Sequence, residues 1–112
     1  MKTDLISAIE NKLQENKAFD VKNVDFNGKS DIVDCALIAS GNSAVHVRAI
    51  AKNIVEDIKK DLNIRPLRIE DDVSGEWIVI DYADIMLHIL QPQIRGYYEL
   101  EKFWENSKVN ND

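Results

Sequence analysis

GEWIVIDYADIMLHIL, residues 75–90, is the most apolar stretch of the chain, and its reading decides the fold. It divides into two short strands, Trp77–Ile80 and Ile85–Leu90, around a polar turn at Asp81-Tyr82-Ala83-Asp84. A half-buried strand alternates apolar and polar residues. These two barely alternate. Trp77 and Val79 point one way, Ile78 and Ile80 the other, and all four are apolar. A hairpin that is apolar on both faces needs something to cover each of them.

The sequence around the hairpin supplies candidates. DCALIAS, 34–40, is a nearly unbroken apolar run, the mark of a central strand buried on both faces. Gly41 ends it. Asn42 or Ser43 can then cap a helix, because its side-chain oxygen accepts a bond from an otherwise unpaired backbone N–H. Val47, Ile50, Ala51, Ile54, Val55 and Ile58 recur at helical spacing, with Leu62 one turn on. Arg48, Lys52, Glu56, Lys59 and Lys60 lie mostly off that stripe. Arg65-Pro66 breaks the helix, and Leu67-Arg68-Ile69 is a short strand candidate.

Nearer the N-terminus, residues 3–16 read as a helix. Thr3 and Asp4 stand where a cap belongs, and Leu5, Ile6, Ile9 and Leu13 form one apolar stripe. FDVKNVDF, 19–26, reads as a strand whose apolar phase switches between 19/21 and 24/26, which predicts a bulge or an early end. Asn27-Gly28 is a turn signal. After the hairpin, Pro92 opens a last helix over 93–105, with Ile94, Tyr97, Tyr98, Glu101 and Trp104 on one side. The order α-β-β-α-β-β-β-α predicts one α/β (α+β) domain over 1–105, a mixed sheet of about five strands with helices packed on it. Residues 106–112 are polar and are expected to form a disordered tail.

Composition narrows the function classes. The chain has 112 residues and a net charge of −6. An acidic protein is a poor general binder of nucleic-acid phosphates, which require Lys and Arg to displace counterions. It suits a basic protein partner. Six acids (Glu70, Asp71, Asp72, Glu76, Asp81, Asp84) fall between Ile69 and Leu90, with no Lys or Arg among them. That segment is either a solvated acidic edge or a docking surface. No run of about 18 apolar residues could span a membrane, and the N-terminus lacks the apolar region of a signal peptide. The single Cys35 reads as a buried reduced thiol, which suits a cytoplasmic protein.

Catalytic signals are weak. Gly41-Asn42-Ser43, between a strand and a helix, could hold an anion on the helix N-terminus, but the further glycines and the Lys of a phosphate loop are missing. A strand, a Gly-Ser turn and a helix also begin nucleotidyltransferase active sites. Those sites need paired carboxylates to hold Mg²⁺. Here Asp71 and Asp72 are adjacent, so on an extended chain they point opposite ways. Asp81 and Asp84 flank a turn, and turn formation explains them equally well. His46 and His88 with Cys35 show no zinc-site spacing. His46 reads as a solvent-facing or surface-contact residue, and His88 as a satisfied core or edge residue. The chain therefore reads as a binding protein rather than an enzyme, with no cofactor and no metal.

The residues also carry a family resemblance. Gly75 to Leu90 resembles the G-x-W-h-h-h-D-Y-x-D-h-h-h-H-h-h core of the ribosomal silencing factor, or Iojap, family. Arg95, Tyr98, Leu100, Glu101 and Trp104 are similar to its R-x-x-Y-x-L-E-x-x-W ending. Asp34, Ile38, Gly41, Ser43, Val47, Ala49, Ile50 and Ala51 are similar to its strand–helix segment. The likeness runs over about residues 3–105. It departs at Cys35-Ala36, where an aromatic pair is usual, and at Glu70-Asp71, where Glu-Gly is usual.

The resemblance implies a nucleotidyltransferase-like fold without catalytic carboxylates. It implies a cytoplasmic translational repressor that binds the large ribosomal subunit through its ribosomal protein fourteen and sterically blocks joining with the small subunit, mainly under nutrient limitation. Two alternatives are a degenerate nucleotide-binding protein and a large-subunit assembly factor. A homodimer of the free protein is a further expectation. Candidate contact residues are Trp77, Ile78, Tyr82, His88, Glu70, Asp71, Asp81, Asp84 and Ser43.

Overall fold

The computed structural model describes residues 2–25, 35–71 and 74–94. Its elements are α1 (Lys2–Glu15), β1 (Phe19–Asp25), β2 (Cys35–Ser40), α2 (Ala44–Leu62), β3 (Arg68–Asp71), β4 (Trp77–Asp81) and β5 (Ile85–Leu90). The strands form one five-stranded sheet in the order β1-β2-β5-β4-β3. Only β2 and β5 run parallel; the other three neighbouring pairs are antiparallel. This is the predicted mixed α+β architecture. Pro92–Ile94 are helical, as the Pro92 start requires, while the rest of the predicted last helix, the Asn27-Gly28 turn and the 106–112 tail lie outside the described residues.

The two apolar runs become the central strands. All six residues of β2 are buried, and β5 is buried throughout except at Met86. One face of the sheet presents Cys35, Leu37, Ala39, Ile78, Ile80, Ile85, Leu87 and Ile89 to the helices. There Leu5, Ile9 and Leu13 of α1 and Val47, Ile50, Ala51, Ile54 and Ile58 of α2 complete a single core. Fully burying one such aliphatic side chain stabilises by about 1.5–3 kcal/mol before chain entropy is counted. Both stripes predicted from helical spacing face this core, with Ile6, Val55 and Leu62 only partly buried against it. Cys35 is a buried thiol outside any disulfide, as expected.

Polar contacts fix how the helices meet. Ser43 is the N-cap of α2, and its Oγ accepts the His46 backbone N–H at 3.1 Å. Asn63, with φ 57°, closes the other end by donating its N–H to Lys59 O, so the helix stops before Arg65-Pro66. The His46 ring has a structural task rather than a solvent-facing one. Its Nδ1 accepts the Asn42 N–H at 3.0 Å, so the proton sits on Nε2, which donates to Asn16 O at 2.8 Å beyond the end of α1. Lys12 of α1 reaches Asp57 and Asp61 of α2 at 3.7 and 3.6 Å.

The irregular points were partly visible in the sequence. The register of β1 on β2 shifts between Phe19 and Lys22, where Asp20 has φ 51°. The phase switch in FDVKNVDF anticipates this bulge. Of its apolar residues, Phe19 and Val21 are exposed, and Val24 alone of β1 is buried. Gly75, just before β4, has φ +73°, and a Cβ there would come within 2.8 Å of Ala44 Cβ and 3.1 Å of Arg48 Cζ. The loop entering the hairpin thus lies directly on the first turns of α2. Gly75→Ala should lower unfolding free energy by about 1–3 kcal/mol through backbone strain and that contact. Denaturant titration checks this, and an unchanged midpoint would contradict the close approach.

Candidate functional site

The opposite face of the sheet carries no helix from α1 or α2. Strand register lays its residues out in rows. One row runs Lys22, Ile38, His88, Val79 and Glu70 across β1, β2, β5, β4 and β3; the next runs Val24, Ala36, Met86, Asp81 and Arg68. Leu90 and Trp77 pair in a third. Val24, Ala36, Ile38 and Leu90 form a second buried cluster, with Trp77 and Ile94 packed against it. Among the described residues, the second face of the hairpin is therefore covered toward β5 and opens toward β3. There Trp77, Val79, Glu70 and Asp71 line an open groove of about 360 Å³. Trp77 and Val79 are half-buried, and Glu70 is exposed.

Trp77 does not lie loosely in this groove. Its Nε1–H donates to Nδ1 of His88 at 3.1 Å, with the ring centroids 6.0 Å apart and the rings tilted by 45°. His88 is only 7% exposed. Burial pushes its pKa down from 6.5 to about 4, because a charged imidazole would lose its hydration there. A neutral ring accepting at Nδ1 carries its proton on Nε2.

The acids are less free than the sequence suggested. No cation lies between Ile69 and Leu90, but two arginines reach in from outside. Arg68 Nε lies 3.4 Å from Glu70 Oε1 and 3.5 Å from Asp81 Oδ2. Arg48 of α2 lies 4.0 Å from Asp71 on the helix side of the sheet. These exposed pairs are each worth at most about 1 kcal/mol. Asp81 Oδ1 also accepts the Ala83 N–H at 2.8 Å, which supports the turn where Ala83 takes φ 74°. Asp84 is exposed in that turn, and its carbonyl accepts the Cys35 N–H.

The predicted contact residues therefore separate. Trp77, Glu70 and Asp81 share the outer face, with His88 beneath it and Asp71 at its edge. Ile78 is 2% exposed and belongs to the helix-side core, because strand alternation turns it away from Trp77. Tyr82 is 6% exposed and also joins that core. Ser43 is engaged as the cap of α2. Ile78, Tyr82 and His88, expected among the contacts, are thus buried in this structure and expose little surface. Val79 and Arg68 were missed. Val79 follows from Trp77 by alternation alone, whereas Arg68 needed the β3–β4 register. Among the described residues, no three His, Cys, Asp or Glu side chains gather as metal ligands.

Two buried groups yield tests. Between pH 6.5 and about 4 the unfolded chain protonates His88 while the folded one does not, so this group's contribution is intact above pH 6.5 and is lost on acidification. The loss amounts to about 3 kcal/mol across that window. Denaturant unfolding of His88→Gln should show a shallower fall in stability than the unmodified protein over the same range; parallel profiles would contradict the burial. The Tyr82 hydroxyl is buried without a hydrogen-bond partner among the described residues, and burial raises its pKa to about 12. Tyr82→Phe should be neutral or stabilising by up to about 1 kcal/mol in thermal unfolding, since it removes an unsatisfied polar atom. A destabilisation larger than that would mean the hydroxyl is bonded.

Comparison with known proteins places the chain in a family. The chain is 33% identical over 100 residues to the ribosomal silencing factor RsfS of Haemophilus influenzae, spanning 89% of this chain and 97% of that protein. It is 28% identical over 102 residues to the mouse protein named mitochondrial assembly of ribosomal large subunit protein 1, spanning 88% of this chain and 44% of that one. A crystal structure from Bacillus halodurans superposes with a TM-score of 0.78 at 31% identity, covering 91% of this chain and 94% of that one. The model of the family described as "Ribosomal silencing factor during starvation" matches residues 2–112. The chain belongs to the ribosomal silencing factor (RsfS) family.

Proposed function

We propose that this chain silences ribosomes by binding the large subunit through its ribosomal protein fourteen and obstructing the joining of the small subunit. The observation that carries the docking site is the half-buried Trp77–Val79 patch, which opens onto a groove edged by Glu70 and Asp71. An aromatic anchor beside an apolar neighbour and a polar rim is the usual anatomy of a protein contact. The net charge of −6 favours a basic protein over ribosomal RNA as the first point of contact. Attraction between the acidic rim and a basic partner speeds encounter, and burial of Trp77 and Val79 holds the complex.

Obstruction needs bulk rather than chemistry. The chain measures 38 × 33 × 22 Å along its principal axes, large enough to keep two packed surfaces apart wherever it sits between them. On this reading the site of action is the cytoplasm. A second reading is support for large-subunit assembly, favoured by the name of the mouse relative. Both readings place the chain on the large subunit. They differ in whether added protein blocks the joining of mature subunits.

Sedimentation of purified subunits with this protein tests the proposal. The protein should travel with the large subunit, stay off the small one and lower the yield of joined ribosomes. Trp77→Ala should weaken large-subunit binding by about 30-fold, since truncating an interface Trp commonly costs 2 kcal/mol or more. Equal binding to both subunits would overturn the steric account. Binding without any loss of joined ribosomes would favour assembly.

A further inference from the structure

The docking reading uses Trp77 and leaves His88 unexplained. His88 stands on β5, which is paired on both sides, by β2 and β4. Its cross-strand neighbours are Ile38 and Val79, and its side chain is buried between them on the outer face. Trp77 is the first residue of β4 and follows directly on the Gly75-Glu76 loop. Its apolar contacts with the Leu90 and Ile94 cluster are non-directional and do not choose which edge of the indole faces out. The hydrogen bond from Nε1 to His88 Nδ1 does choose it.

We infer that His88 is a positioning residue for the docking face: its Nδ1 holds the Trp77 N–H turned into the sheet, so that the indole offers a partner apolar ring surface and no donor. This inference rests on Trp77 being an anchor of the large-subunit contact. A consequence is that the partner group meeting Trp77 is apolar or a cation over the ring, not a hydrogen-bond acceptor seeking the indole N–H. Burial keeps the imidazole neutral, and a neutral Nδ1 is the only form that can accept. Replacing His88 with an apolar residue removes this acceptor from the indole N–H, which can then turn toward water.

The test compares affinity for purified large subunits across the unmodified protein, His88→Leu, His88→Gln, Trp77→Phe and Trp77→Phe/His88→Leu, with Trp77→Ala as the reference. Tryptophan emission is read in a Trp104→Phe background, which leaves Trp77 as the sole tryptophan. His88→Leu should bind about tenfold more weakly and shift the Trp77 emission. His88→Gln, whose amide oxygen can accept, should recover binding to within about threefold. In the Trp77→Phe background, where there is no N–H to hold, His88→Leu should change affinity less than about twofold, a coupling that a purely structural histidine would not produce.

Equal losses in both backgrounds, or full binding by His88→Leu, would overturn the proposal. If Trp77→Ala binds like the unmodified protein, the docking face lies elsewhere and both readings fall. If Trp77→Ala loses binding while His88→Leu does not, the anchor stands and the positioning role alone falls. Should His88→Leu not fold, nitrogen NMR of the unmodified protein decides. The proposal requires the Nε2–H tautomer with the Trp77 N–H bonded to Nδ1, and an Nδ1–H tautomer contradicts it.

Discussion

The structure depends on covering the parallel pair β2–β5 on both faces. A parallel pair cannot close through a tight turn; it needs a crossover, and here the crossover is α2 followed by β3 and β4. Because β2 and β5 are apolar on both sides, one face takes α1 and α2, and the other takes the smaller cluster of Val24, Ala36, Ile38 and Leu90 with Trp77 and Ile94. Among the described residues, the outer face is closed over β5 and thins toward the edge strand β3, whose four residues are all exposed. That difference between the two faces makes the outer one the candidate binding surface.

Electrostatics work on that surface in two ways. The chain as a whole is acidic, which sets the sign of the long-range field a partner meets. At short range Arg68 lies between Glu70 and Asp81, and Arg48 lies beside Asp71. The rim is therefore partly neutralised before any partner arrives. On the proposed docking mode, an incoming cation has to compete with arginines already in place, and the Trp77–Val79 patch is then the more specific part of the contact. The buried Trp77–His88 pair adds a directional constraint that apolar packing lacks.

Much of the fold was legible because its signals are local. The stripes of α1 and α2, the Ser43 cap and the two unbroken apolar strands each follow from spacing within one element. The family pattern running through Gly75–Leu90 then identified the whole. The candidate site was less legible because it is made across strands. Alternation in β4 separates Trp77 and Val79 from Ile78 and Ile80, yet only the sheet order tells which pair faces the helices. Ile78 was assigned to the contact surface for that reason and proved to be core. Tyr82 reads as a turn residue but is buried with the core, and its hydroxyl gives no warning of this. His88 looked like a lone histidine in an apolar strand; its partner Trp77 sits eleven positions away and becomes visible only through the β4–β5 register.

The central claim is that the outer face beside Trp77, and not the helix side, meets the large subunit. Site-specific photo-crosslinking tests it most directly. A photoreactive amino acid placed at Val79 should link to a basic protein of the large subunit, identified by mass spectrometry. The same group at Glu56, on the exposed side of α2, should give no such product. Efficient crosslinking from position 56 together with none from position 79 would contradict the account and move the docking face to the helices.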